Sequence, residues 1–598
     1  MKEVFGALKR IKGMPNRFGL TLAISASLAW SGFSDSAEKS AYPAPRFPSY
    51  TKAPRSVDEV MPYARAIARQ TTGLQGDGFG ILKDGESVAL VLTATAEDMV
   101  VQAIKRAIEE RGVKVNLLYE YDLVGVSRAD AAELRKARRQ FSSEQGYMEA
   151  RRWIDDRFAD PETPKKWLKE RRPDLYDALY PAKAQIPDRL KEVAKKLDRE
   201  NVGKGIKAFL EQNPNVRGFF WGTGGTTTLR RYVRPHEEKY LGVMVYDNRW
   251  TVMSKIPQFP GDVWRLVEER TIEPIAWADR LEITDPEGTN LTSDLTDDMA
   301  ERWARGVYQQ GHLYMFPNQA TGRFPYSVVE YPAFQKKWNP RSPTPKPNGV
   351  IAGTANHAGH FPRTEVHIKD GFVADVKGTG VYAEAWREFL KYPRINEVTY
   401  PYHDRPGYWL LYEAALGTNP KFYKRPDENR LGENTTERNR SGVMHYGHGI
   451  RVHHGPDSPE WAKEWVEFTK KNNLPDDHWF HIHNYFTTYR LRVRGTKNTW
   501  ITVVNKGRMT SLDSPEVRAL TSRYGDPKEL LTEDWVPQLP GINAPGKYAD
   551  YAKDPWTTVT TVFKKVEDGS YEYFYPPVKA AGKAAGAARK TVGPRPRE

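Results

Sequence analysis

The sequence predicts an α/β domain followed by an α+β domain: an N-terminal parallel sheet with a helical insertion, then a mixed or antiparallel sheet that carries a metal site. Three observations predict this. ESVALVLTA, AEDMVVQAIKRAIEERG and VKVNLLYEY run as strand, helix and strand, the unit from which parallel sheets are built. The second half changes to β-branched and aromatic runs with turn residues about every ten positions, the mark of hairpins. Seven of the thirteen histidines crowd between His445 and His483, in MHYGHGIRVHH and HWFHIHN.

Composition narrows the function classes. A chain of 598 residues has room for three or four domains by the usual length of about 150 residues each. It contains no cysteine, which excludes disulfides, thiolate zinc sites and iron–sulfur clusters and leaves nitrogen and oxygen as the strong metal ligands. The net charge of +14 comes from 90 basic residues interspersed with 76 acidic ones, so most of it reads as a solvated surface and nucleic acid is not the expected partner.

In chain order, residues 1–37 come first. Lys2, Lys9, Arg10, Lys12 and Arg17 precede the apolar Leu20 to Phe33, a pattern that reads as an export signal and is too short to span a bilayer. Asp35 spoils the cleavage site, so a disordered cytoplasmic leader is the alternative, with a periplasmic or secreted location favoured. Residues 38–55 form a Pro-rich linker. The α/β domain spans 56–275, and its TATAED turn lacks the glycines of a dinucleotide site. Within it, 127–210 is a basic helical insertion expected to cover or pair with the first domain. An RNA-binding role for its Arg-rich faces would show as steep salt dependence. The glycine- and threonine-rich turn in VRGFFWGTGGTTTLRRY could hold an anion through backbone N–H groups.

Residues 276–509 form the metal-binding domain. ADRLEITDPEGTNLT, TEVHIKDGFVADVKGTG and YRLRVRGTKNTWITVVNKGRM each read as strand, turn, strand, with Asp370-Gly371 as a hairpin turn. Residues 510–578 are an extension that could wrap a neighbouring subunit, and 579–598 an Ala/Gly/Lys-rich disordered tail. In a strand, His481 and His483 share one face, close enough to share an ion. His445, beside Gly447 and Gly449, is the candidate third ligand, and Glu413 a candidate carboxylate. Histidines in a Trp- and Tyr-rich body more often serve as hydrogen-bonded core, and that reading suits His448, His453, His454 and His478 taken singly.

The ordered series EITDPEGTNLT, PNGVIAGTA, VHIKDGFVADVKG, LYEAALGTNP, SGVMHYGHG, FHIHN and VNKGRM resembles the C-terminal domain of the thermophilic-type metallo-aminopeptidases, the aminopeptidase T and aminopeptidase S group. Residues 55 to 509 fall within the resemblance, apart from the helical insertion. The group includes a branch of 2,5-dihydroxypyridine dioxygenases that bind one Fe(II). Position by position, the resemblance places Val350 and Arg440 where the peptidases have glutamates. It retains Glu413 and His445, and puts His483 where an aspartate would follow His481. A co-catalytic ion pair needs several bridging carboxylates, and Arg440 would add repulsion.

What the resemblance implies is therefore one ion. His445, His481 and His483 would bind one Fe(II) per chain, with zinc the alternative occupant and Glu413 or His448 handling a proton. The reading is a mononuclear non-haem iron dioxygenase that cleaves a hydroxylated aromatic or N-heteroaromatic ring with O2. A neutral ligand set would favour an anionic, catecholate-like substrate. The alternatives are a metal-dependent hydrolase or aminopeptidase and a degenerate, non-catalytic binding or assembly protein. The related enzymes are dimers, so a homodimer without a membrane span is expected.

Overall fold

The structure, a computed structural model, describes residues 42–47, 54–73, 76–140, 147–181, 186–222, 233, 236–243, 249–297, 311–315, 346–357, 359–401, 403, 405–424, 437–450, 459–477 and 479–568. The export signal over 1–37, the glycine- and threonine-rich turn from Thr223, His453, His454, His478 and the tail over 579–598 lie outside the described residues. Among the described residues no helix is long and apolar enough to cross a membrane.

The strands, in chain order, are β1 (Thr72–Gly73), β2 (Gly76–Asp77), β3 (Ser87–Leu92), β4 (Lys114–Tyr119), β5 (Val216–Trp221), β6 (Ala278–Thr284), β7 (Asn290–Asp294), β8 (His312–Tyr314), β9 (Asn348–Asn356), β10 (Gly359–Lys369), β11 (Phe372–Gly378), β12 (Leu411–Gly417), β13 (Met444–His448), β14 (Phe480–Asn484), β15 (Thr488–Val493), β16 (Trp500–Asn505) and β17 (Arg508–Met509). β3 lies between β4 and β5, parallel to both. It is buried on its two faces. Val88, Leu90 and Leu92 pack with Val100, Ile104 and Ala107 of the Asp98–Glu109 helix, and Ala89 and Val91 pack with Val202, Ile206 and Leu210 of the Arg199–Gln212 helix. A strand covered on both sides has no polar face, which is why SVALVL reads as a continuous apolar run.

The helical stretch after β4 divides in a way its sequence does not announce. Its last helix, Arg199–Gln212, covers the parallel sheet on the way into β5. Its middle helices, Tyr147–Arg157, Glu162–Arg171 and Pro173–Leu179, leave the first domain. Trp153, Ile154, Leu168, Leu175 and Leu179 join the core formed by residues beyond 250. The expectation that the stretch covers the first domain is thus corrected for these helices. The reason is aromatic: the Trp153 ring stacks on Phe389 at 4.5 Å and on Trp409 at 5.4 Å between centroids, and its Nε1 donates to the Tyr408 hydroxyl at 3.1 Å.

Among the described residues the second half holds two antiparallel sheets, one in the order β11-β10-β9-β7-β6-β15-β16-β17 and one in the order β14-β13-β12-β8. Asp370 and Gly371, with φ of 49° and 88°, close the β10–β11 hairpin, because a two-residue turn that follows the strand twist needs positive φ at both positions. The sheets meet closely where Gly353 of β9 lies over β14. A Cβ there would stand 2.7 Å from Ile482 Cγ2 and 3.2 Å from the His483 carbonyl oxygen, so only glycine fits. The Asn484 amide donates to the Ala352 carbonyl at 2.8 Å and its Oδ1 accepts from Thr289 at 2.7 Å, pinning the same junction.

The C-terminal extension packs on its own chain. Leu512, Val517, Leu531, Trp535, Leu539, Tyr551 and Phe563 are buried in the main core. Arg46, within the Pro-rich stretch, exchanges both backbone hydrogen bonds with Val536, each 2.9 Å.

Candidate metal centre

β12, β13 and β14 build the floor of the site. In an antiparallel ladder, residues directly opposite each other project from the same face. Glu413, Gly447 and His481 are opposite one another in one row, and Ala415, His445 and His483 in the next. One face therefore presents three imidazoles and a carboxylate, with glycine and alanine at the remaining positions leaving room for the rings. All four polar side chains are buried.

His448 is not among them. Three residues beyond His445 on the same strand, it projects from the opposite face, where its ring packs against Trp386 and its Nδ1 donates to the Phe480 carbonyl at 3.0 Å. The expectation that it handles a proton at the metal is corrected by this parity. Arg440 also stands elsewhere. Its buried guanidinium donates to the Ser441 and Tyr485 carbonyls, and burial lowers its pKa to about 10.

The fourth imidazole comes from outside both histidine knots. His357, just past the end of β9, brings its ring centroid to 4.2 Å from that of His481, 4.7 Å from His445 and 4.9 Å from His483. Among the described residues the group whose ligand atoms all lie within 4.8 Å of one another is His357, His445 and His481. Ligands at about 2.0–2.2 Å from one ion are themselves about 3–3.5 Å apart, so modest closure would bring this group onto one ion. His483 sits one bond further out: its Nε2 is 2.9 Å from His445 Nδ1 and its Nδ1 is 2.9 Å from Glu437 Oε1.

The protons in this cluster can be assigned from its contacts. An ionised carboxylate only accepts, so Glu437 requires the proton of a neutral His483 to be on Nδ1. His483 Nε2 then accepts, which places a proton on His445 Nδ1. The lone pair of a neutral His445 is left on Nε2, and that atom faces Glu413 Oε1 at 2.6 Å. On the other side, Glu149 Oε1 lies 2.9 Å from His481 Nδ1, so the His481 lone pair is on Nε2, 4.0 Å from the same Glu413 oxygen. Acceptors converge with their protons turned outward. Such an arrangement needs a cation at its centre, a proton or a metal ion.

Basic side chains border the cluster. Arg438 Nη1 lies 3.0 Å from His357 Nε2, and Lys424 Nζ lies 3.0 Å from His360 Nε2. Burial holds both imidazoles well below their ordinary pKa, helped for His357 by His481, Arg438 and the other rings, and for His360 by Lys424. The neutral form this favours lets each Nε2 accept from the cationic N–H beside it. The residues present fit one transition-metal ion bound by nitrogen and oxygen.

No family model matches the chain, and no curated protein matches it. Among solved structures, a 2,5-dihydroxypyridine dioxygenase from Pseudomonas putida aligns with 78% of this chain and 99% of its own, at 11% sequence identity and a TM-score of 0.35. Wild-type AmpT from Thermus thermophilus aligns with 76% of this chain and 100% of its own, at 15% identity and a TM-score of 0.32. The chemistry of the site rests on its own atoms.

Proposed function

We propose that the protein is a mononuclear non-haem metalloenzyme. His357, His445 and His481 would hold the ion, with Glu413 as a carboxylate donor and His483 and Glu437 behind His445. The observation that carries this reading is the convergence of His445 Nε2 and His481 Nε2 on Glu413 Oε1, at 2.6 and 4.0 Å. A single carboxylate in that convergence favours one ion over a bridged pair.

The reaction proposed is oxidative cleavage of a hydroxylated aromatic or N-heteroaromatic ring. Imidazoles with one carboxylate suit Fe(II), which when bound supplies open positions for O2 and an electron source. Glu413, through the oxygen not given to the ion, would take the proton of the substrate hydroxyl. The chain His445, His483, Glu437 holds the ring of His445 in one tautomer and balances its charge. Buried walls exclude water from the exchange. A second reading follows from the three imidazoles themselves, which also suit Zn(II). Glu413 would then take a proton from water in a hydrolase.

Metal analysis separates these readings. Protein purified without added metal, then reconstituted anaerobically with iron, should carry one ion per chain and consume O2 with dihydroxypyridines or dihydroxybenzoates. Two tightly held ions per chain would defeat the single-ion reading. No O2 uptake with any of these compounds, alongside amide hydrolysis by the zinc form, would replace the oxygenase by the hydrolase.

A further inference from the structure

We propose that Glu149 is a positioning residue of the metal centre, and that docking of the Tyr147–Arg157 helix is thereby coupled to ion binding. The inference rests on the single-ion reading above. Glu149 is 1% exposed, and a buried carboxylate is costly unless its lone pairs are used. Three donors meet it. His481 Nδ1 lies 2.9 Å from Oε1, the His481 backbone N–H donates to Oε2 at 2.9 Å, and the Tyr382 hydroxyl donates to Oε2 at 2.7 Å.

The need for this carboxylate arises from the sheet. Among the described residues β14 is an edge strand, so the outward backbone groups of His481 meet side chains there in place of a further strand. Glu149 takes the N–H, and the Tyr382 hydroxyl stands 2.9 Å from the carbonyl oxygen. One side chain thus fixes the backbone and the ring of the same ligand. With its proton held at Nδ1, the ring turns Nε2 toward Glu413 and the ion position. A negative charge behind a metal-binding imidazole also raises its basicity, and partners of this kind are worth about 10–100-fold in metal affinity.

Glu149 reaches this place because its helix is amphipathic. Glu149, Ala150, Trp153 and Ile154 lie on one face at positions i, i+1, i+4 and i+5, and all four are buried. Trp153 supplies the anchoring area between Phe389 and Trp409. Undocking the helix would withdraw the carboxylate from His481, and by linkage an ion that binds more tightly with the carboxylate in place must favour the docked helix by the same factor.

The test uses the full-length chain, stripped of metal and titrated with Co(II), whose visible absorption reports the ligand field. Wild type should bind one Co(II). Glu149→Gln should bind about 10–100-fold more weakly with a shifted absorption, while its metal-free melting temperature stays close to wild type. Tyr382→Phe, which leaves the carboxylate in place, should lose far less affinity. Equal affinity and equal spectra for wild type and Glu149→Gln would overturn the proposal. Failure of wild type to take up Co(II) would instead overturn the single-ion reading, and this inference with it. If Glu149→Gln does not fold, amide exchange of the wild type decides. Added Zn(II) should slow exchange across Tyr147–Arg157, and an unchanged rate there would overturn the coupling.

Discussion

The histidines of this chain divide by what stands behind each ring. His445 and His481 have acceptors at Nδ1 and face the convergence point with Nε2, whereas His483 spends Nε2 on His445 and Nδ1 on Glu437. His357→Ala and His445→Ala should therefore abolish tight metal binding. His483→Ala should weaken it by about 10–100-fold, the usual effect of losing an outer partner. His448→Gln should leave stoichiometry unchanged. Elemental analysis and chelator competition on the four variants check this ordering, and equal retention by all of them would break it. Arg438, at 3.0 Å from His357, acts in the opposite sense. Its guanidinium repels a divalent ion, so Arg438→Met should tighten metal binding severalfold in the same competition assay. Sequence made part of this visible. The alternation in FHIHN puts two rings on one face without any knowledge of the fold. His357 carries no such local sign, because what recruits it is the approach of the end of β9 to β13 and β14. Glu149 lies farther still from any local cue, in a helix whose three arginines and three carboxylates give no sign of which one is buried.

Among the elements, the hairpins and the parallel unit were legible because their signals are local: a period of two, a strand buried on both faces, an Asp-Gly turn. The destination of the helices over 147–179 was not, since an amphipathic helix advertises that it will be covered and not by what. The contact of β9 with β14 is of the same long-range kind. Gly353→Ala would push a methyl group into Ile482 and the His483 carbonyl, at 2.7 and 3.2 Å. Overpacking of this sort typically costs about 1–3 kcal/mol. The variant should melt at a lower temperature and also bind metal more weakly, because relief of the clash moves β14. Gly205→Ala, in a helix with Leu123 Cβ at 3.0 Å from the added methyl, serves as a control away from the site and should leave metal affinity unchanged.

At the scale of the whole molecule, the C-terminal extension closes over a buried acidic turn. Asp285 and Glu287 flank Pro286, and Glu287 accepts from Thr354 at 2.7 Å and from Tyr548 of the extension at 3.2 Å. Burial raises both carboxyls, to about 7 for Asp285 and about 8 for Glu287, with Asp285 also pushing Glu287 upward. A folded pKa above the unfolded value of about 4 means that the folded state binds more protons across the interval between them. The stabilisation is complete below pH 4 and is lost as pH rises through 7 to 8, at up to about 1.4 kcal/mol per pH unit for each proton. Denaturant unfolding followed from pH 5 to 9 should show this decline. Glu287→Gln, which keeps the acceptor for Thr354 and Tyr548, should flatten it and be the more stable protein at pH 9. A wild type whose stability does not fall over that range would contradict the assignment.

The contact between Glu149 and His481 spans 332 positions of the chain, and that distance has a meaning for synthesis. At about 5–20 residues per second, a ribosome needs about 15–70 s to pass from one to the other. During that interval the parallel sheet can form, while Trp153 waits with its stacking partners Phe389 and Trp409 still to be made. The apolar face of that helix is thus a natural holding point for chaperones on the nascent chain. An ion held through His481 would be loaded only after that residue has been made.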